Sequence, residues 1–127
     1  MSQIKLIHTE NAPAAVGPYS QATTANGLLF VSGQLGIIPG QGKLAEGFKA
    51  QTRQALENMK TIVEAAGSSL DKVLAVDVFV MDMGRFADLN AIYSEYFTDH
   101  KPARAAIQVG GLPLGGLVEL KCVATTD

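Results

Sequence analysis

Tryptophan is absent from the 127 residues, cysteine occurs once, and aromatic residues make up only 6% of the chain. The single thiol, Cys122, excludes an internal disulfide framework and any zinc site built on cysteines, and it suits a reducing compartment. Charge is scarce as well. Asp, Glu, Lys and Arg make up 17% of the residues, against roughly 25% in ordinary soluble chains. Ten Lys and Arg against twelve Asp and Glu leave a net charge of −2. The missing basic face argues against a phosphate-driven nucleic-acid binder. No charged residue stands between Asn11 and Gly42. That stretch is still not a membrane span, because Pro13, Gly17, Pro18, Asn26, Gly33 and Pro39 cut it into strands and turns. Met1 to His8 hold neither a long apolar core nor a small-residue cleavage site, so the reading is cytoplasmic. Repeats, low-complexity tracts and linkers are missing too, leaving one domain over residues 1–127.

Hydrophobic residues reach 47%, enough for a packed core. Phe48, Ala55, Leu56, Met59, Ile62, Val63 and Ala66 recur three or four apart, which predicts a helix over 48–66 stopped by Gly67. A second helix is expected over 85–97, with Phe86, Leu89, Ile92, Tyr93, Tyr96 and Phe97 inward and Asp82 capping its start. Short branched runs bounded by Gly or Pro predict strands over 28–33, 73–81, 105–109 and 117–124. Weaker strands are expected over 4–7 and 19–22, as a leading hairpin. The order strand–helix–strand–helix–strand–strand predicts an α+β fold, a mixed β-sheet with two helices packed on one face. Residues 110–116 are long enough either to close a hairpin or to step over a strand.

Alternate strand residues point to opposite faces. One set is apolar: Leu29, Val31, Leu74, Val76, Val78, Val80, Ala105, Ile107, Val109, Val118, Leu120, Cys122 and Ala124. It is expected beneath the helices. The other set carries Ser32, Asp77, Phe79, Gln108, Glu119 and Lys121, with Arg104 in the parity of Gln108. Two helices cover one face only, so the mixed face must meet solvent or a second copy of the chain, and the low charge favours the second copy. Ser32, Arg104 and Glu119 are thereby expected on one side of one sheet.

Several motifs fail. GIIPGQGK, residues 36–43, has Ile37 where a phosphate loop needs its first Gly, and Leu44 in place of the hydroxyl that holds magnesium. His8 and His100 lack partners at metal-ligand spacing. Cys122 lies in the apolar set and is expected to be a buried structural thiol. Ser32 sits in no nucleophile elbow.

Arg104 in Pro102-Ala103-Arg104-Ala105-Ala106-Ile107 and Glu119 in Leu117-Val118-Glu119-Leu120 stand out among the few charged residues. Together with Gly17-Pro18-Tyr19-Ser20-Gln21-Ala22, Val31-Ser32-Gly33-Gln34 and Val78-Phe79-Val80-Met81-Asp82, they give a pattern that resembles the Rid family of reactive-intermediate deaminases, the YjgF-like proteins, over essentially the whole chain. The resemblance implies a chorismate-mutase-like fold, a homotrimer with its sheets facing inward, and ligand clefts between subunits. It implies hydrolysis of 2-aminoacrylate and related enamine or imine acids (2-iminobutanoate, 2-iminopropanoate) to 2-oxo acids and ammonia, without metal or organic cofactor. By the same resemblance Arg104 binds the substrate carboxylate and Glu119 positions water, while Tyr19, Ser32, Gly33, Asn90 and Ala106 bind substrate. Ala106 stands where many members carry cysteine, so only its backbone amide is available to a ligand. Gly111 replaces a second basic residue found in some members.

The residue types suit that chemistry. A guanidinium grips a carboxylate through two parallel hydrogen bonds, and a carboxylate can take a proton from water and return one to nitrogen. Two other readings stay open: a non-catalytic trimer that binds small carboxylates and regulates metabolism, and RNA cleavage or translation inhibition, which the acidic balance disfavours. Arg104 and Glu119 can also pair with each other across a subunit boundary as a purely structural contact.

Overall fold

Helix α1, Phe48–Ala65, exists because its apolar stripe needs a sheet to cover. Ala55, Leu56, Met59, Ile62 and Val63 are all within 1% of complete burial. The backbone N–H groups of Gly67 and Ser68 donate to the carbonyls of Glu64 and Val63, and Gly67 takes φ +84. This is the helix stop expected from the sequence, with a residue in the left-handed region closing the last turn. In the computed structural model, which describes residues 3–127, Met1 and Ser2 of the N-terminal stretch considered above lie outside the described residues.

The sheet is formed by β1 (Lys5–Ile7), β2 (Ala22–Ala25), β3 (Leu28–Leu35), β6 (Val73–Val80), β7 (Ala103–Gln108) and β8 (Val118–Thr125). Their order is β1-β2-β3-β8-β6-β7. Among the described residues, only β6 and β7 pair in parallel; helix α2 (Phe86–Tyr96) makes the crossover between them. Residues 110–116 therefore step over β6, and β8 enters between β3 and β6. A two-strand ribbon, β4 (Ile37–Ile38) with β5 (Lys43–Leu44), carries the Gly-rich loop. No helix among the described residues is long and apolar enough to cross a membrane. The architecture is the expected α+β layer, a mixed sheet with both helices on one face. Beneath them Leu29, Val31, Val73, Val76, Val78, Val80, Val118, Leu120, Cys122 and Ala124 are buried. Each fully buried Leu, Ile or Val contributes about 1.5–3 kcal/mol relative to exposure.

Four expectations need correction. Tyr19 to Gln21 are loop, and β2 begins at Ala22. Gln21, 2% exposed, spends its amide on the backbone of Thr9 and Pro13, which holds residues 9–21 as a loop between paired strands. A bulge at Val73/Ala75 turns Val73 inward and leaves Leu74 46% exposed. Third, β7 faces the other way from its assigned parity. Val76, Val78 and Val80 lie beside Arg104, Ala106 and Gln108 in register, so these three share the helix-covered face. Ala105 and Ile107 lie on the open face, Ile107 half exposed. Finally, the second helix begins at Phe86, behind a tight turn over Met83–Arg85 that the Asp82 carboxylate caps by accepting from the Gly84 amide.

Gly36 marks a backbone-to-backbone contact. A Cβ there would stand 2.5 Å from both Cα and the carbonyl oxygen of Gln51 on α1. Gln51, in turn, bridges Ala45 and the Leu117 amide. Gly36→Ala is expected to cost about 1–3 kcal/mol by forcing this contact apart. A lowered denaturant midpoint checks it; an unchanged midpoint would contradict it.

Candidate functional site

The site residues expected from sequence fall into two groups, and the sheet separates them. Glu119 on β8 faces the open side beside Phe79 of β6. It is half-buried, and burial alone pushes its carboxyl above the ordinary glutamate range. Gly33 lies against it: a Cβ at Gly33 would stand 2.8 Å from the Glu119 carboxyl carbon, so a side chain there displaces the acid. The hydroxyl of Ser32 donates to the Ser20 carbonyl at 2.6 Å, and the Ser32 amide donates to the Gln21 carbonyl. These bonds tie β3 to the loop that carries Tyr19, whose side chain is half exposed. Tyr19, Ser32, Gly33, Phe79, Pro113, Glu119 and Lys121 line a hollow of about 470 Å³. Lys121 is 3.7 Å from Asp77, its cross-strand neighbour.

Arg104 is on the other face. Its guanidinium lies 4.8 Å from the Tyr93 ring centroid and 5.3 Å from that of Phe86, and its Nη1 donates to Asn90 Oδ1 at 2.9 Å. Phe86, Asn90 and Tyr93 follow the i, i+4, i+7 spacing that places them on one face of α2. The two rings and the Asn90 amide support the guanidinium, and Arg104 forms no ion pair among the described residues. Asn90, Tyr93, Ser94, Phe97, Lys101, Pro102 and Arg104 line a second hollow of about 350 Å³.

The expectation that Ser32, Arg104 and Glu119 share one side of the sheet is therefore wrong for Arg104. The structure brings Tyr19, Ser32, Gly33 and Glu119 together, and separately Asn90 with Arg104. Ala106 sits two residues beyond Arg104 on the same face and packs against the core; it is not among the residues lining the Arg104 hollow. Asn90 engages the arginine itself. Sequence reasoning left Phe86 in the core and overlooked Tyr93 as a support for Arg104. The signal available was the heptad-like spacing of Phe86, Asn90 and Tyr93. Lys101 and Lys121, at the two hollows, carried none.

Cys122 is buried as expected, and burial pushes its thiol up to about 12. No group of three or more His, Cys, Asp or Glu residues that could hold a metal ion occurs among the described residues. His100 bonds through Nε2 to the Val73 carbonyl oxygen at 2.6 Å.

A six-stranded mixed sheet backed by two helices, with an arginine hollow on one face and a carboxyl hollow on the other, defines the class as a two-layer α+β protein with a polar site on each side of its sheet. The family model described as Endoribonuclease L-PSP matches residues 9–126. A RutC family protein of Pyrococcus horikoshii is 50% identical over 121 residues, covering 94% of this chain and 96% of its own. The Salmonella typhimurium protein named 2-iminobutanoate/2-iminopropanoate deaminase is 44% identical, covering 94% and 96%. The crystal structure of RidA from an Antarctic Psychrobacter superposes with a TM-score of 0.93 at 46% identity, covering 95% of this chain and 98% of that one. The chain belongs to this family, the Rid or YjgF-like proteins.

Proposed function

We propose that the protein is a cytoplasmic, cofactor-independent deaminase that hydrolyses 2-aminoacrylate and related 2-imino acids, working as a homotrimer whose ligand clefts lie between subunits. The observation that carries this reading is the pair of half-sites on opposite faces of one sheet. An arginine held beside two rings with no acidic partner among the described residues, and a half-buried carboxyl whose proton affinity is raised by burial, are each incomplete alone. A second copy that brings its Glu119 hollow against the Arg104 hollow joins a carboxylate grip to a proton acceptor. Phe30, Leu74 and Ile107, each close to half exposed, give the sheet apolar surface that such an assembly would cover.

In that seam Arg104 holds the substrate carboxylate, fixing the plane of the adjoining C=N bond. 2-Aminoacrylate first tautomerises to its imine. Water then adds to the imine carbon while Glu119 takes a proton from it and passes one to nitrogen. Collapse of the resulting carbinolamine forms the C=O bond and expels ammonia. Tyr19 orients the water or the nitrogen, and the Ser32 hydroxyl, donating to Ser20, remains free to accept a bond. Gly33 leaves room for the acid, the Ala106 amide is offered to the ligand from β7, and Asn90 positions Arg104. The nearby guanidinium favours the ionised form of Glu119, against the effect of burial.

The 2-aminoacrylate formed in situ is expected to reach pyruvate faster in the presence of the protein, with ammonia released in equal amount. Glu119→Gln should keep its affinity for a 2-oxo acid in titration while losing ~10²–10⁴ in turnover. Equal rates with and without the wild-type protein would remove the enzyme reading and leave a carboxylate binder.

A further inference from the structure

Arg104 stands exposed on an edge strand of the sheet. A long side chain in such a place ordinarily moves among many rotamers, and gripping a ligand then costs the entropy of stopping it. Asn90 fixes one nitrogen only, through Nη1. The central carbon of the guanidinium lies over the Tyr93 ring, 4.8 Å from its centroid. That ring is held independently of the arginine. Tyr93 is 8% exposed, one of the buried residues of α2 with Leu89 and Ile92. Its ring meets that of Phe97, itself 3% exposed, at 4.9 Å between centroids with a tilt of 35°. Phe86 is farther from the cation, at 5.3 Å, and only partly buried. The Tyr93 hydroxyl, by contrast, is buried without a hydrogen-bond partner among the described residues. Burial pushes this phenol up to about 12, so it stays neutral. A buried polar atom without a protein partner is a cost to the fold. What Tyr93 offers Arg104 is therefore the face of its ring, whose negative quadrupole attracts a cation.

We propose that Tyr93 is a positioning residue: the face of its ring, backed by Phe97, holds the Arg104 guanidinium in place before a carboxylate arrives, so that carboxylate binding depends on the electron density of that ring and not on its hydroxyl. For turnover this rests on the deaminase reading, whereas the grip on a carboxylate is measurable without it. Stopping a rotamer-rich side chain in advance favours binding by ~2–13-fold, and a cation over an aromatic face adds a factor of the same order. Arg104 holds the carboxylate in the ground state and the transition state alike. Loss of its support should therefore raise KM and leave kcat nearly unchanged.

Pyruvate is titrated into the full-length protein, and kcat and KM are measured for 2-aminoacrylate formed in situ. Wild type is compared with Tyr93→Phe, Tyr93→Leu and proteins in which Tyr93 is replaced by 4-fluoro-, 3,5-difluoro- and 3,4,5-trifluorophenylalanine. The fluorinated rings keep the shape of the side chain and draw negative charge from its face in steps. Tyr93→Phe should bind pyruvate within about twofold of wild type. Tyr93→Leu should bind it ~5–10-fold more weakly, with a matching rise in KM. The fluorinated series should weaken in order at an unchanged denaturant midpoint, and it decides the matter alone if Tyr93→Leu does not fold. Equal pyruvate affinity across that series, or a loss in Tyr93→Phe as large as in Tyr93→Leu, would overturn the proposal and leave the deaminase intact. A fall in affinity that follows a fall in midpoint would make the ring a packing element and overturn it as well. Absence of wild-type turnover, with the graded loss of pyruvate affinity retained, would sink the deaminase reading and keep Tyr93 as the support of Arg104.

Discussion

Arg104→Ala is expected to bring 2-aminoacrylate hydrolysis close to the uncatalysed rate without unfolding the chain. The guanidinium sits at an exposed strand edge, resting on Phe86 and Tyr93 and bonded to Asn90, so its removal uncovers ring surface and leaves the interior intact. What disappears is the grip on the substrate. A hydrogen bond to a charged group contributes about 1.5–3 kcal/mol, and a two-pronged pair makes two, so kcat/KM should fall roughly 10²–10⁴-fold. Arg104→Lys separates charge from geometry. It keeps the cation but loses the planar fork and the stacking between the rings, and it should fall between wild type and alanine. A lysine variant as active as wild type would mean that charge alone suffices. An alanine variant as active as wild type would remove Arg104 from the site.

The layers were legible in the sequence wherever side-chain size and polarity varied with a clear period. The stripe from Phe48 to Val63 and the alternation in β8 and most of β6 each agree with one face of the structure. Reading failed where alternation carried no contrast. In β7 the run Ala103-Arg104-Ala105-Ala106 gives alanine to both faces, and Ile107 alone suggested which was inside. As an edge strand, β7 is only partly covered by α2, so Arg104 can lie on the helix side with its stem over two rings and its head in solvent. Ile107 is then left for whatever covers the open face. Leu74 misled for a different reason, since a bulge reverses parity without any mark in composition. The buried polar residues of α1 were invisible to an apolar count. Asn58, 1% exposed, donates to the carbonyls of Leu35 and Ile37 where β3 bends into β4.

The candidate site was legible as a set of residues and illegible as an arrangement. Motif pattern singled out Arg104, Glu119, Tyr19, Ser32, Gly33 and Asn90 without regard to which face each occupies. The Glu119 group assembles within one chain because β3 and β8 are hydrogen-bonded neighbours, with Gly33 clearing space for the acid. Arg104 cannot join it there, since the sheet lies between them. The wrong parity therefore hid a consequence for function: a site that uses both groups has to draw them from two copies.

That requirement makes the second large effect an increase rather than a loss. Arg104→Ala and Glu119→Gln proteins are each expected to be nearly inactive alone, yet co-expression with distinct tags should restore activity to the mixed assemblies. In a closed ring every seam is equivalent and takes its guanidinium from one copy and its carboxyl from the next. A seam works when the arginine comes from the Glu119→Gln chain and the glutamate from the Arg104→Ala chain, which in a random equal mixture occurs about a quarter of the time. The recovered rate should therefore approach ~25% of wild type, far above either parent. A site completed inside one protomer predicts no recovery at any mixing ratio, because every chain then carries one defect in its own site. Recovery that scales with the product of the two chain fractions would locate chemistry at the seam, and its absence in verified mixed assemblies would rule the seam out.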